Sequence, residues 1–70
     1  MMKLSARNLL KCKVKQISPG AVNSEIILEL SDGSEIVSII TKSSAERLGL
    51  AKGKEAYAMI KASNVMIAVD

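Results

Sequence analysis

The chain contains no histidine, phenylalanine or tryptophan, and a single cysteine, tyrosine and proline. Each shortage closes off a class of chemistry. Without imidazole there is no side chain that ordinarily titrates near neutral pH, and neither a Ser-His nor a Cys-His nucleophile pair can be built. One thiol, Cys12, precludes an intrachain disulfide, and without histidine it cannot found a Cys/His zinc site, so no bare metal cation is expected. One ring, Tyr57, leaves little platform for stacked bases, each of which is worth about 1–3 kcal/mol where it occurs. No stretch approaches the roughly 20 apolar residues that cross a bilayer as a helix. The opening Met1-Met2-Lys3-Leu4-Ser5-Ala6-Arg7 lacks the apolar run of a signal peptide. An unpaired cysteine fits a reducing compartment, so a cytoplasmic protein is expected.

Catalytic groupings are equally scarce. Glu25 and Glu29 lie four apart in a strand-like segment and hence on one face. A solvated hairpin face explains them better than a catalytic carboxylate pair. No glycine-rich phosphate loop followed by Lys-Ser/Thr is present. Cys12 is expected to point inward as packing. The prediction is a binding protein, not an enzyme.

What the chain does have is aliphatic content. Its 70 residues allow one domain, 1–70, and 49% of them are hydrophobic. A domain this short buries only about 60% of the surface that its unfolded chain exposes. Small domains therefore lean on disulfides, metals or subunit contacts. The first two are closed off here, and several segments are apolar on both faces, so a homo-oligomer is expected. Ten Lys plus Arg against seven Asp plus Glu give a net charge of +3. That suits an anionic ligand and is too modest to imply nucleic acid by itself.

The hydrophobic periodicity predicts five strands and one helix. Residues 9–17 alternate Leu10, Cys12 and Val14 against Lys11, Lys13 and Lys15, the period of a strand. Ser18-Pro19-Gly20 breaks the run. Residues 22–30 alternate Ile26, Leu28 and Leu30 against Glu25 and Glu29, and Asp32-Gly33 then signals a hairpin into residues 35–41. Ser43 with Glu46 forms a capping-box pattern for a short helix, which Gly49 is placed to end. Lys52-Gly53-Lys54 turns the chain into a fourth strand, residues 55–61, and residues 64–69 read as a fifth. The expected fold is all-β with one short helix, in the order βββαββ of a five-stranded OB-like barrel.

Two polar stretches interrupt this scaffold. Ser5-Ala6-Arg7-Asn8 precedes the first strand, and Lys61-Ala62-Ser63-Asn64 joins the last two. Each combines a hydroxyl, a cation and small residues, the donor set that a tetrahedral oxyanion requires. By composition alone a frayed terminus and a plain polar turn account for them better.

In their order and framing, these stretches resemble the molbindins, also called molybdenum-pterin-binding or Mop proteins. The matching residues include Ser5-Ala6-Arg7-Asn8, Leu10-Lys11, Gly20-Ala21-Val22-Asn23-Ser24-Glu25 and Asp32-Gly33. Ile40-Thr41, Ser44-Ala45-Glu46-Arg47-Leu48-Gly49-Leu50, Lys52-Gly53-Lys54 and Ile60-Lys61-Ala62-Ser63-Asn64-Val65-Met66 extend the likeness over nearly the whole chain. Cys12 departs from it, standing where the family usually has glycine, so packing there must make room for a side chain. The resemblance implies subunits that interlock β-structure in a hexamer built from dimers, with molybdate or tungstate held between subunits for storage or homeostasis. Carried over by position, Ser5, Ala6 and Arg7 of one subunit would face Lys61, Ala62 and Ser63 of a neighbour. A second class of site, at symmetry axes, would draw on Gly20, Val22, Asn23, Ser43 and Ser44. The alternative is a nucleic-acid-binding OB module, with Lys11, Lys13 and Lys15 toward phosphates. Those lysines read more simply as an exposed strand face. Neither a nucleic-acid nor a membrane partner is expected.

Overall fold

The computed structural model describes residues 5 and 7–70. Among them lie β1 (Asn8–Pro19), β2 (Asn23–Glu29), β3 (Glu35–Thr41), α1 (Lys42–Arg47) and β4 (Glu55–Ile60), followed by a 3₁₀ turn over Ala62–Asn64. The strands form one antiparallel sheet in the order β3-β2-β1-β4, curled into a half-barrel.

Alternation in β1 sorts the residues as their polarity demands: Cys12 and Val14 are buried, while Lys11, Lys13 and Lys15 are exposed. The strand is long because it serves two partners. Its first half pairs with β4 and its second half with β2. Between Val14 and Gln16 the register with β2 slips, leaving Lys15 as the extra residue of a bulge. The slip changes the phase of the alternation. Ile17, not Gln16, then turns toward the core and is half-buried.

The core is Cys12, Val14, Ile26, Leu28 and Ala58, with Leu10, Ile17, Leu30, Ile36, Ile40, Leu50 and Ala56 packed around it. Cys12 is accommodated because its cross-strand partner is the small Ala56. Its thiol meets the Leu10 carbonyl at 3.4 Å.

Turns form where the sequence supplies left-handed residues. Gly33 takes φ +89 between β2 and β3, and the Asp32 carboxylate accepts the Ser34 N–H at 2.9 Å. That hydrogen bond holds the Asp32 carboxyl below its ordinary value of 3.8. Gly49, at φ +65, ends α1. The Leu50 N–H reaches Ala45 O and the Gly49 N–H reaches Glu46 O, the paired bonds of a Schellman stop. Lys54 Nζ adds a cation at this end, 3.0 Å from Gly49 O.

The start of the helix differs from the Ser43/Glu46 capping box expected from the sequence. Thr41, still extended as the last residue of β3, is the cap, and its side chain accepts the Ser44 N–H at 3.1 Å. Helical geometry begins at Lys42, one residue ahead of Ser43, so Ser43 lies inside the first turn and has no capping role.

On the outer face Lys15 bridges Glu35 and Glu29, tying β1 to β2 and, across β2, to the start of β3. Hydrogen bonding and charge from Glu35 raise the Lys15 ammonium above its ordinary 10.5. A raised folded-state value means that this contribution is complete below 10.5 and is lost as pH climbs through the folded value. Thermal melts of wild type and Lys15→Met should therefore differ at neutral pH and draw together as pH rises past 10.5 and through the folded value. A gap that stays constant across that range would rule out a charge origin for the pairing.

The expected five strands are four among the described residues. Residues 64–69, patterned as a strand, form none: Met66, Ile67 and Val69 are 94%, 90% and 89% exposed. A strand exists only by pairing with an edge, and alternation supplies no edge. The half-barrel has two, on β3 and β4. This chain's own carboxyl segment pairs with neither.

Candidate functional site

Two corners gather the residues singled out in the sequence. The first is made where β1 begins and β4 ends. Asn8 is the register partner of Ile60, and Asn8 Nδ2 donates to the Ile60 carbonyl at 3.2 Å. Arg7, just before one strand, and Lys61, just after the other, therefore leave the sheet at the same end of the same protomer. Ser5 and Arg7 are exposed bends, and Ala6 lies outside the described residues.

Beyond β4 the chain turns tightly. Lys61 caps the 3₁₀ turn in an extended conformation, and the Asn64 N–H returns to Lys61 O at 2.8 Å. The first N–H groups of such a turn point away from it without acceptors inside it. Here they belong to Ala62 and Ser63, whose small side chains leave the backbone approachable. Lys61, Ala62 and Ser63 are all exposed. Neither Arg7 nor Lys61 makes an ion pair among the described residues. The corner thus offers two cations, hydroxyls and outward N–H groups, and none of its proposed ligands is acidic. Such a set can hold an anion with no proton of its own.

The second corner joins the β1–β2 turn to the start of α1. The Gly20 N–H donates to Asn23 O at 2.7 Å, and the Lys42 N–H donates to Val22 O at 2.8 Å. Asn23 also pairs with Thr41. Gly20, Val22 and Asn23 are thereby set against Ser43 and Ser44, as one group. Two members of it were not evident from the sequence. Thr41 Oγ1 lies 2.7 Å from Ser44 Oγ, and Arg47 Nη2 donates to that Ser44 oxygen at 3.5 Å. The available signal was spacing: Thr41 and Arg47 each stand three residues from Ser44, one turn away. The Gly20 and Ser44 N–H groups already have internal acceptors, which leaves fewer of this group's donors open to an added anion.

Gly20 is required by close approach and not by a left-handed φ. A Cβ there would stand 2.8 Å from the Asn23 carbonyl oxygen. Gly20→Ala is expected to cost about 1–3 kcal/mol, as other overpacking changes do. A denaturant midpoint equal to wild type would mean that the turn opens without strain.

The lysine face reads differently in three dimensions. Lys11 pairs with Glu55 at 3.7 Å and Lys15 with two glutamates, so the basic stripe is largely neutralised. A hollow beside it, lined by Lys11, Lys13, Glu29 and Glu55 among others, mixes both signs and contains none of the proposed ligand residues.

Comparison with known proteins places these corners in context. Residues 4–67 match the family described as the TOBE domain. The chain is 49% identical over 67 residues to the molybdenum-pterin-binding protein MopA of Rhodobacter capsulatus, spanning 96% of this chain and 25% of MopA. It is 46% identical over 66 residues to molybdenum-pterin-binding protein 1 of Clostridium pasteurianum, covering 94% of this chain and 97% of that one. The chain thus spans a quarter of the longer relative and nearly all of the shorter. Among solved structures, MopII from Clostridium pasteurianum superposes with a TM-score of 0.90 at 43% identity, covering 96% of this chain and all of the other. The cytoplasmic molybdate-binding protein ModG, with molybdate bound, gives 0.90 at 52% identity over 93% of this chain and 46% of its own.

Proposed function

Since this chain belongs to the TOBE domain family and is a homologue of the Mop molybdenum-pterin-binding proteins, we propose that it binds molybdate or tungstate in the cytoplasm for molybdenum storage or homeostasis. The observation that carries this reading is the first corner, where Arg7 and Lys61 leave the sheet together beside the open N–H groups of the turn over Ala62–Asn64. Ser5 and Ser63 donate hydroxyls, Ala6 and Arg7 backbone N–H groups, and Lys61 its charge. Molybdate is a dianion at neutral pH, whereas phosphate keeps a proton part of the time. A cage of donors leaves that proton unmet, at a cost of roughly 1–3 kcal/mol.

The site lies between subunits of a homo-oligomer in this proposal. Its support is the path of the chain: the turn over Ala62–Asn64 leads at once into an apolar segment that its own protomer leaves exposed. Docked on an open edge of a second copy, that segment supplies the fifth strand of the barrel and brings Lys61, Ala62 and Ser63 of one subunit to face Ser5, Ala6 and Arg7 of its neighbour. A hexamer, as three such dimers, is the assembly expected. The second corner, with Gly20, Val22, Asn23, Ser43 and Ser44, is proposed as a further, weaker anion site on the symmetry axes of that assembly.

Titration calorimetry with molybdate, tungstate, sulfate, phosphate and a single-stranded oligonucleotide tests this function. Molybdate and tungstate should bind with a Kd of about 1 μM or tighter, and phosphate at least roughly tenfold more weakly. Binding to the oligonucleotide with steep salt dependence, and none to the oxyanions, would instead favour the nucleic-acid alternative. The paired lysines and the solitary Tyr57 give that alternative little support.

A further inference from the structure

We propose that Asn8 is the positioning residue of the first corner. It touches no anion itself, and its amide fixes the direction in which Lys61 and the turn after it present their N–H groups. This role rests on the oxyanion reading above and adds a residue outside the proposed ligands. Asn8 opens β1 and stands in register with Ile60, which closes β4. Its Nδ2 donates to the Ile60 carbonyl at 3.2 Å, a partly buried contact between positions 52 apart. Among the described residues this is the one side-chain hydrogen bond between β1 and β4, the exposed Lys11–Glu55 ion pair lying at the other end of β4. Asparagine is a poor strand former, so the hydrogen bond is what it adds at this position.

The contact is directional. The end of a strand ladder has neighbours on one side only and frays first, and a side-chain donor on its last carbonyl opposes that fraying. The peptide joining Ile60 to Lys61 is trans and planar, so its C=O and N–H point in opposite directions. A carbonyl held toward β1 therefore sends the Lys61 N–H the other way, off the free edge of β4. No backbone oxygen accepts that N–H among the described residues. Lys61 is extended, and the Asn64 N–H closes the turn onto the Lys61 carbonyl at 2.8 Å. The Ala62 and Ser63 N–H groups are thus carried by the same peptide. All three donors share one hinge, and Asn8 holds it.

Molybdate titrations of wild type, Asn8→Leu and Asn8→Val, each as the full chain, test the proposal. Leucine keeps the branching at Cγ without a donor, and valine, which suits a strand, replaces it should the first variant lose its circular-dichroism spectrum. The folded variant should bind molybdate about 3- to 10-fold more weakly than wild type, the equivalent of one lost hydrogen bond. In isotope-labelled protein saturated with molybdate, the Lys61 amide proton should resonate at lower field in wild type than in the variant. A purely structural role would lower the melting temperature and leave that bound-state resonance in place. A wild type that takes up no molybdate would sink the oxyanion reading and this role together. A wild type that binds, beside variants of equal affinity or with an unmoved Lys61 resonance, would overturn the role of Asn8 alone.

Discussion

Lys61→Ala is expected to weaken molybdate binding by roughly 10- to 150-fold, the equivalent of about 1.5–3 kcal/mol for one charge-assisted hydrogen bond. Arg7→Ala should weaken it too, by a smaller factor, because the proposed contact of Arg7 is its backbone N–H, which alanine keeps; what is lost is the charge nearby. Lys13→Ala is the control. It removes an equal charge from the β1 face, along the strand from the corner, and should change affinity less than twofold at physiological salt, where charges beyond about 8 Å are largely screened. Calorimetry on folded variants reads all three. Equal affinities for wild type and Lys61→Ala would remove the first corner from consideration, whatever the chain turned out to bind.

Deleting residues 65–70 should reduce the mass of the assembly to half or less. Met66, Ile67 and Val69 stand almost wholly in water in the protomer. Each such side chain contributes about 1.5–3 kcal/mol when buried. Three together are commensurate with the roughly 4–15 kcal/mol that association costs in lost freedom. Ile67→Asp, which keeps the length and places a charge in the middle of the segment, should act in the same direction. Wild-type melting temperature should rise with protein concentration, and that dependence should shrink in both variants. Molybdate affinity should fall along with assembly, since the turn over Ala62–Asn64 would no longer be held against a second copy. A truncated chain that keeps the wild-type mass would show that the carboxyl segment is not the link between subunits.

Much of the scaffold was legible from local pattern. Alternation about Leu10, Cys12 and Val14 found the buried face of β1, and Ile26 and Leu28 that of β2. Gly33, Gly49 and Gly53 mark the turns because each adopts a positive φ, which a side chain would oppose. The bulge at Lys15 was half legible. Inward residues run 10, 12, 14 and then 17, a change of phase that alternation requires some extra residue to absorb. The cap was misplaced by two residues, since Thr41, Ser43 and Ser44 all have hydroxyls of similar capping strength. Only the point at which β3 stops being extended selects among them.

The candidate site was legible as chemistry but not as a place. Residue types at 5–8 and 61–64 announced donors for an anion, yet nothing local says that positions some fifty apart in the chain meet. That Arg7 and Lys61 leave the sheet at one end follows from the pairing of β1 with β4, and specifically from the register that puts Asn8 against Ile60. Residues 64–69 show the same division from the other side. Their apolar alternation is a property of the sequence, and it is present whether or not a strand forms. A strand needs hydrogen-bond partners from another segment, and among the described residues no neighbouring edge pairs with this one. Periodicity, turn conformation and donor chemistry are short-range and were set by the residues themselves. Register, adjacency and the pairing of the final segment are long-range, so the tertiary structure alone decided them.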